Sequence, residues 1–285
     1  MFKNILIPLS SEFYPKQVLE RSVFFAEKFN SKINLLYIIE EKNFEETDRL
    51  IDSYISEYDK SQTKKDIIKT QKQIADSIVF KDANQLFENN KIDFNERIVK
   101  GEFTPIVKKE LEKNDYDLIL MGFEKECNLK YRLLYDVDVP VWIEAESNNK
   151  KILAICSNLA PNQKVPEFSI KLSKELDWDL HMVYIIDSED HVEIDKQGKR
   201  SEIKQERDLL FTSQNFITEM EKKGVKVYSI KGSLEKETIK AAEEIGPGLI
   251  IIGREKKKKG LLGLPAHNIK QKIAGKCDYS ILFLN

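Results

Sequence analysis

Leu118-Ile119-Leu120-Met121-Gly122 returns 131 residues later as Leu249-Ile250-Ile251-Ile252-Gly253, and this pair decides the fold. Each run is apolar at every position and stops on glycine, which is how a central strand of a parallel sheet reads when helices cover both its faces. Upstream, Lys100-Gly101-Glu102 returns as Lys231-Gly232-Ser233 at the same offset. Nearer the start, Lys3-Asn4-Ile5-Leu6-Ile7 returns as Lys150-Lys151-Ile152-Leu153-Ala154, and Tyr37-Ile38-Ile39 as Tyr184-Ile185-Ile186, both 147 residues on. A repeat of this length marks two copies of one domain. The change of offset means that the first copy carries about 16 extra residues between its second and third landmarks.

Short apolar runs alternate with amphipathic stretches, the signature of βαβ crossovers and an α/β fold. Strands are expected near 3–9, 32–39, 92–99, 116–121 and 139–144, and again near 150–156, 179–186, 225–231, 248–253 and 279–284. Val165, Phe168, Leu172 and Leu176 form a core-facing helical stripe at the start of the second copy. Glu146-Ser147-Asn148-Asn149 is a polar join, so the domains run 1–146 and 147–285. The first contains an extended helical insertion at about 43–90. From Phe44 to Phe87 it lacks Gly and Pro and carries Leu50, Ile51, Tyr54, Ile55 and Tyr58, then Ile67, Ile68, Ile74 and Ile78. It reads either as a lengthened second helix on its own sheet or as a projecting arm for a protein partner or a second copy. The second copy has a long polar helix of its own near Lys199 to Lys223.

With 46 basic and 48 acidic residues, no global field favours nucleic acid or an anionic membrane, and neither is expected as a partner. No run approaches the roughly 18 apolar residues of a membrane span. Cys127, Cys156 and Cys277 are far apart and odd in number, which suits reduced thiols and a cytoplasmic protein.

In order and twice over, Lys3-Asn4-Ile5-Leu6-Ile7-Pro8, Asp117-Leu118-Ile119-Leu120-Met121-Gly122 and Val139-Pro140-Val141-Trp142-Ile143 resemble the universal stress protein family in tandem. The resemblance covers nearly the whole chain. It implies two doubly wound five-stranded parallel-sheet domains with strand order 3-2-1-4-5, whose last strands pair antiparallel in an internal pseudo-dimer. Nucleotide-binding members of the family carry G-x2-G-x9-G-[ST] after strand four, where backbone amides and a hydroxyl hold the phosphates. Both copies depart from it. Counting from Gly253, the second glycine falls on Lys256, the third on Ala266 and the hydroxyl on His267; sliding by one residue substitutes His267 and Asn268. Gly260 and Gly263 remain, off register. In the first copy the segment from Gly122 to Pro140 is nine residues shorter than that from Gly253 to Ser280 and holds no further glycine. The Asp that such members place after strand one is Ser10 in one copy and Ser157 in the other, neither supplying a fixed charge.

Any ligand is therefore expected in the second copy, at Ser157, Gly253, Lys256, Gly260, Gly263, His267 and Asn268. The five cations of Arg254 to Lys259 suit a small anionic ligand beyond the carboxyl ends of the strands, although a solvated charged loop explains them as simply. His181 reads as a structural histidine on a buried strand. His191, in an acidic loop, fits no metal motif. No G-x-S-x-G elbow, P-loop, HExxH or SGGxDS signature is present, and neither catalytic residues nor a metal are expected. The expectation is a non-catalytic regulatory or scaffold protein of the stress response, without firm ATP binding or another cofactor. The alternatives are an ATP or AMP sensor using a variant phosphate loop in the second domain, and a weak hydrolase. Association with a partner or a second copy is expected through the insertion and the edge strands.

Overall fold

The computed structural model describes residues 1–10, 15–40, 69–70, 80–122, 133–134, 137–147, 149–159, 164–188, 204–253, 273 and 278–284. They form two compact units, Met1–Val137 and Asp138–Asn285. The first holds β1 (Asn4–Ser10), α1 (Gln17–Phe29), β2 (Lys32–Ile39), α2 (Lys81–Asn89), β3 (Phe94–Lys100), α3 (Phe103–Lys113) and β4 (Leu118–Gly122). The second holds β5 (Val141–Glu144), β6 (Lys151–Ser157), α4 (Val165–Leu176), β7 (Asp179–Ile186), α5 (Glu206–Lys222), β8 (Val227–Lys231), α6 (Leu234–Ile245), β9 (Leu249–Gly253) and β10 (Ile281–Leu284). All ten strands lie within two residues of the sequence expectation; β4 and β9, apolar at every position, are buried throughout, as runs of that kind are inside a covered sheet.

The second unit's parallel strands run β8-β7-β6-β9-β10, the expected 3-2-1-4-5 order, and the first unit runs β3-β2-β1-β4. β5, the last strand of the first copy by sequence, belongs to the second unit and pairs antiparallel with β10, Trp142 opposite Leu282. Both strands are buried throughout. This is the antiparallel pairing of last strands that the resemblance implied, and it closes the two strands that would otherwise be open edges.

Inside each unit the repeat extends to single hydrogen bonds. Lys32 N donates to Lys3 O at 2.8 Å, and Asp179 N to Lys150 O at 3.0 Å. Asp117 N donates to Asn4 O at 2.8 Å, and Gly248 N to Lys151 O at 2.9 Å. α1 ends on Asn30 and α4 on Asp177, both left-handed, at φ 54° and 57°; a short polar side chain tolerates that conformation and stops a helix where the next strand must begin.

α1 buries Val18, Leu19, Ser22, Phe25 and Phe29, one stripe at three- and four-residue spacing. Phe25 and Phe29 pack edge-on against Phe2 at 5.2 and 5.4 Å between ring centroids. α4 buries Val165, Leu172 and Leu176 as expected, with Ser169 rather than the half-buried Phe168 completing the stripe. The described end of the insertion, α2, packs Ala83 and Phe87 into its own unit, Phe87 meeting Phe94 at 4.7 Å; the stretches at 41–68 and 71–79 lie outside the described residues. His181 is only half-buried, because β7 reaches full burial from Met182 onward. No helix among the described residues is long and apolar enough to cross a membrane.

Candidate functional site

Parallel strands deliver their last residues to one edge of the sheet, and ligands of open α/β sheets bind beyond that carboxyl edge. In the second unit the edge carries Ser157, Asp187 and Gly253, the residues ending or following β6, β7 and β9. Ser157 is fully buried, and its Oγ accepts a hydrogen bond from Leu159 N at 3.1 Å. Beside it Asn158 clamps the end of β7: its Oδ1 accepts from Asp187 N at 2.7 Å, and its Nδ2 donates to Asp187 O at 3.1 Å. Asp187 Oδ2 in turn accepts from Leu234 N at 2.7 Å, in the first turn of α6. A helix start is an anion site by virtue of its free N–H groups and dipole. Here the chain's own carboxylate, only 2% exposed, fills that role.

The first unit has the same frame with other contents. Ser10 ends β1 fully buried, its Oγ without a hydrogen-bond partner among the described residues, and Glu40 follows β2, buried like Asp187. Gly101 N donates to Ile39 O at 3.1 Å, as Gly232 N does to Ile186 O. The end of β4 is closed from above. A Cβ on Gly122 would lie 2.1 Å from Pro15 Cγ and 3.0 Å from Val18 Cγ2, so the glycine serves the close approach of the segment entering α1.

Of the site residues expected from sequence, the structure places Ser157 at the end of β6 and Gly253 at the end of β9; Lys256, Gly260, Gly263, His267 and Asn268 lie outside the described residues, as does His191. Asn158 and Asp187 were missed. The signal available for both was a polar residue directly after an all-apolar strand, which alone does not separate a clamp from a loop. Among the described residues the thiol near this edge is Cys156; it is fully buried, and burial pushes its pKa up, so it stays protonated and a poor nucleophile. No group of three or more His, Cys, Asp or Glu able to hold a metal is found among the described residues.

The sequence profile of the universal stress protein family matches residues 1–141 and again 148–284. Among solved structures, the chain is similar to a universal stress protein from Archaeoglobus fulgidus, with a TM-score of 0.67 at 17% identity over 98% of this chain and 96% of that one. It is also similar to a putative universal stress protein from Pseudomonas aeruginosa UCBPP-PA14, with a TM-score of 0.60 at 14% identity over 99% and 93% of the two chains. A functionally unknown protein from Pseudomonas aeruginosa PAO1 gives 0.60 and 14% over 99% and 92%. At these identities the likenesses report the fold. No curated sequence matches the chain closely enough to name a relative.

Proposed function

The chain belongs to the universal stress protein family in both halves, and from that premise we propose that it is a non-catalytic regulator or scaffold of the cytoplasmic stress response that does not hold ATP firmly. The observation that carries this reading is the Pro15 ring packed against Gly122, so close that a Cβ there would lie 2.1 Å from Pro15 Cγ, which leaves little room beside the glycine that ends strand four. The buried serines at the ends of β1 and β6 support it. A neutral hydroxyl there supplies none of the charge-assisted hydrogen bonding that a carboxylate gives to a ribose, and Ser157 is already engaged with Leu159 N. A small anionic ligand or an ATP or AMP sensor in the second unit is the competing reading, favoured by Gly260 and Gly263 in the sequence after Gly253.

Mass analysis of small molecules released from the chain, freshly purified from its own cells, separates the readings. The proposal expects no nucleotide at stoichiometric amount. Co-purified ATP or AMP, lost from a Gly260→Ala, Gly263→Ala double variant, would establish the sensor. Nucleotide turnover that stays constant per mole through successive purification steps would establish the hydrolase.

A further inference from the structure

Away from the carboxyl edge, the first unit carries a row of three carboxamides across the opposite half of its sheet. Asn95 on β3 donates through Nδ2 to Asn34 Oδ1 on β2 at 2.9 Å; Asn34 donates to Asn4 Oδ1 on β1 at 2.8 Å; Asn4 donates to Asp115 O at 2.5 Å. The row floors a cleft of about 270 Å³. Glu110 of α3 stands over it, 7% exposed, ion-paired with Arg97 and accepting from Asn114 Nδ2 and Tyr116 OH at 2.9 Å each.

The row is particular to the first unit. At the matching positions the second unit has Lys151, His181 and Lys226 in place of the three asparagines, Lys226 standing just before β8, and Tyr228, Ala241 and Pro247 where the first has Arg97, Glu110 and Tyr116. The register is the same in both units, but β7 and β8 pair only from Met182 and Val227 onward, whereas β2 and β3 pair from Ile33 and Phe94, so the row lies where the first unit's pairing runs two residues further.

We propose that this cleft binds a small neutral polyhydroxylated molecule, of the size and chemistry of a monosaccharide or cyclic polyol. Three features carry the assignment. First, Arg97 and Glu110 neutralise one another as an ion pair on the lining, so neither charge on its own selects an anion or a cation. Second, a hydroxyl both donates and accepts, and each carboxamide does the same through two N–H hydrogens and two oxygen lone pairs. The hydrogen bonds run in one direction along the row, so Asn95 Oδ1 at the exposed end accepts from no described residue. Third, the volume sits just under the ~300 Å³ at which pockets for drug-sized ligands begin, too small for a nucleotide. The site stands apart from the carboxyl edge, and its test is independent of whether that edge binds anything.

Saturation-transfer NMR on the full chain, with glucose and separately myo-inositol as probes, tests the assignment. We expect transfer to at least one probe with half-saturation at about 1 mM, accompanied by shifts of the Asn34 and Asn95 carboxamide resonances. Asn95→Ala, at an exposed edge-strand position that leaves folding intact by circular dichroism, should weaken it about fivefold, the worth of one net hydrogen bond. Lys226→Ala at the matching position of the second unit should change nothing. Absence of transfer from both probes at about ten times that concentration overturns the proposal. So does an Asn95→Ala chain that binds as tightly as the native one, or a response of the same carboxamides to inorganic phosphate alone.

Discussion

The two units build the same frame from different residues, and the places where they differ are the instructive ones. At the turn into strand four, the first unit has Asp117, whose Oδ2 accepts from Lys3 N at 2.7 Å and Asn4 N at 2.9 Å. The second has Gly248, and a Cβ there would lie 1.8 Å from Asn149 O. One unit ties off the start of its first strand with a carboxylate, the other by bringing a backbone carbonyl into the room that a missing side chain leaves. On the buried faces the units are interchangeable in kind, Phe25 answering Leu172 at the same repeat position, both with no exposed surface. On the half-open face they share nothing, carboxamides and a carboxylate hub standing against lysines, a tyrosine and an alanine. Burial holds a position to the same kind of side chain in both copies, as it does even for the serines Ser22 and Ser169, whereas a half-exposed polar face is free to diverge and so records separate use.

That comparison breaks first in the core. If the buried stripes are equivalent, Phe25→Ala should cost about 4 kcal/mol and Leu172→Ala about 3 kcal/mol in urea unfolding, the larger side chain leaving the larger cavity. A near-zero cost at either position would show that the stripe in that unit is not packed as described.

The turn into strand four is next. Gly248→Ala must push a backbone carbonyl aside and should lose about 2.5 kcal/mol. Asp117→Ala removes two charge-assisted hydrogen bonds from exposed amides and should lose about 1.5 kcal/mol. Equal small losses would mean that the two turns are built alike after all.

The carboxamide row should matter least to folding. Asn34→Leu is expected to stay within about 1 kcal/mol of the native chain, since its neighbours are half-open to water; a loss of several kcal/mol would make the row a strut.

The smallest effect is a titration. Burial raises the pKa of Tyr116, with Arg97 opposing it weakly, while the second unit has the untitratable Pro247 at that position. The folded chain therefore holds the phenolic proton more tightly than the unfolded chain. The stability contribution is fully present below the unfolded phenol's pKa of about 10 and is lost as pH climbs through the raised folded value. Tyr116→Phe should flatten that alkaline decline in stability measured by denaturant midpoints; an unchanged decline would assign it elsewhere.

The strands were legible in the sequence because Leu118 to Met121 and Leu249 to Ile252 are apolar at every position, a pattern with few other homes in a chain of this composition. The repeat was legible because buried frames tolerate little variation. The contents of the sites were not. Asn34 sits inside Lys32-Ile33-Asn34-Leu35-Leu36 as one polar interruption, and only the register of β2 on β3 puts Asn95 opposite it. Pro15 is more than a hundred residues from Gly122, so its seat over the glycine is a tertiary fact without a local signature. Asp187 looks like the first residue of an acidic loop until Leu234 N is found on its carboxylate.

Isothermal titration of the full chain, stripped of small molecules, with ATP in the presence of magnesium tests the central claim most directly. The account predicts no saturable heat with a dissociation constant below about 1 mM. A one-to-one isotherm in the micromolar range, surviving replacement of Gly122 but abolished at Gly260 and Gly263, would contradict it and place a working phosphate loop in the second unit.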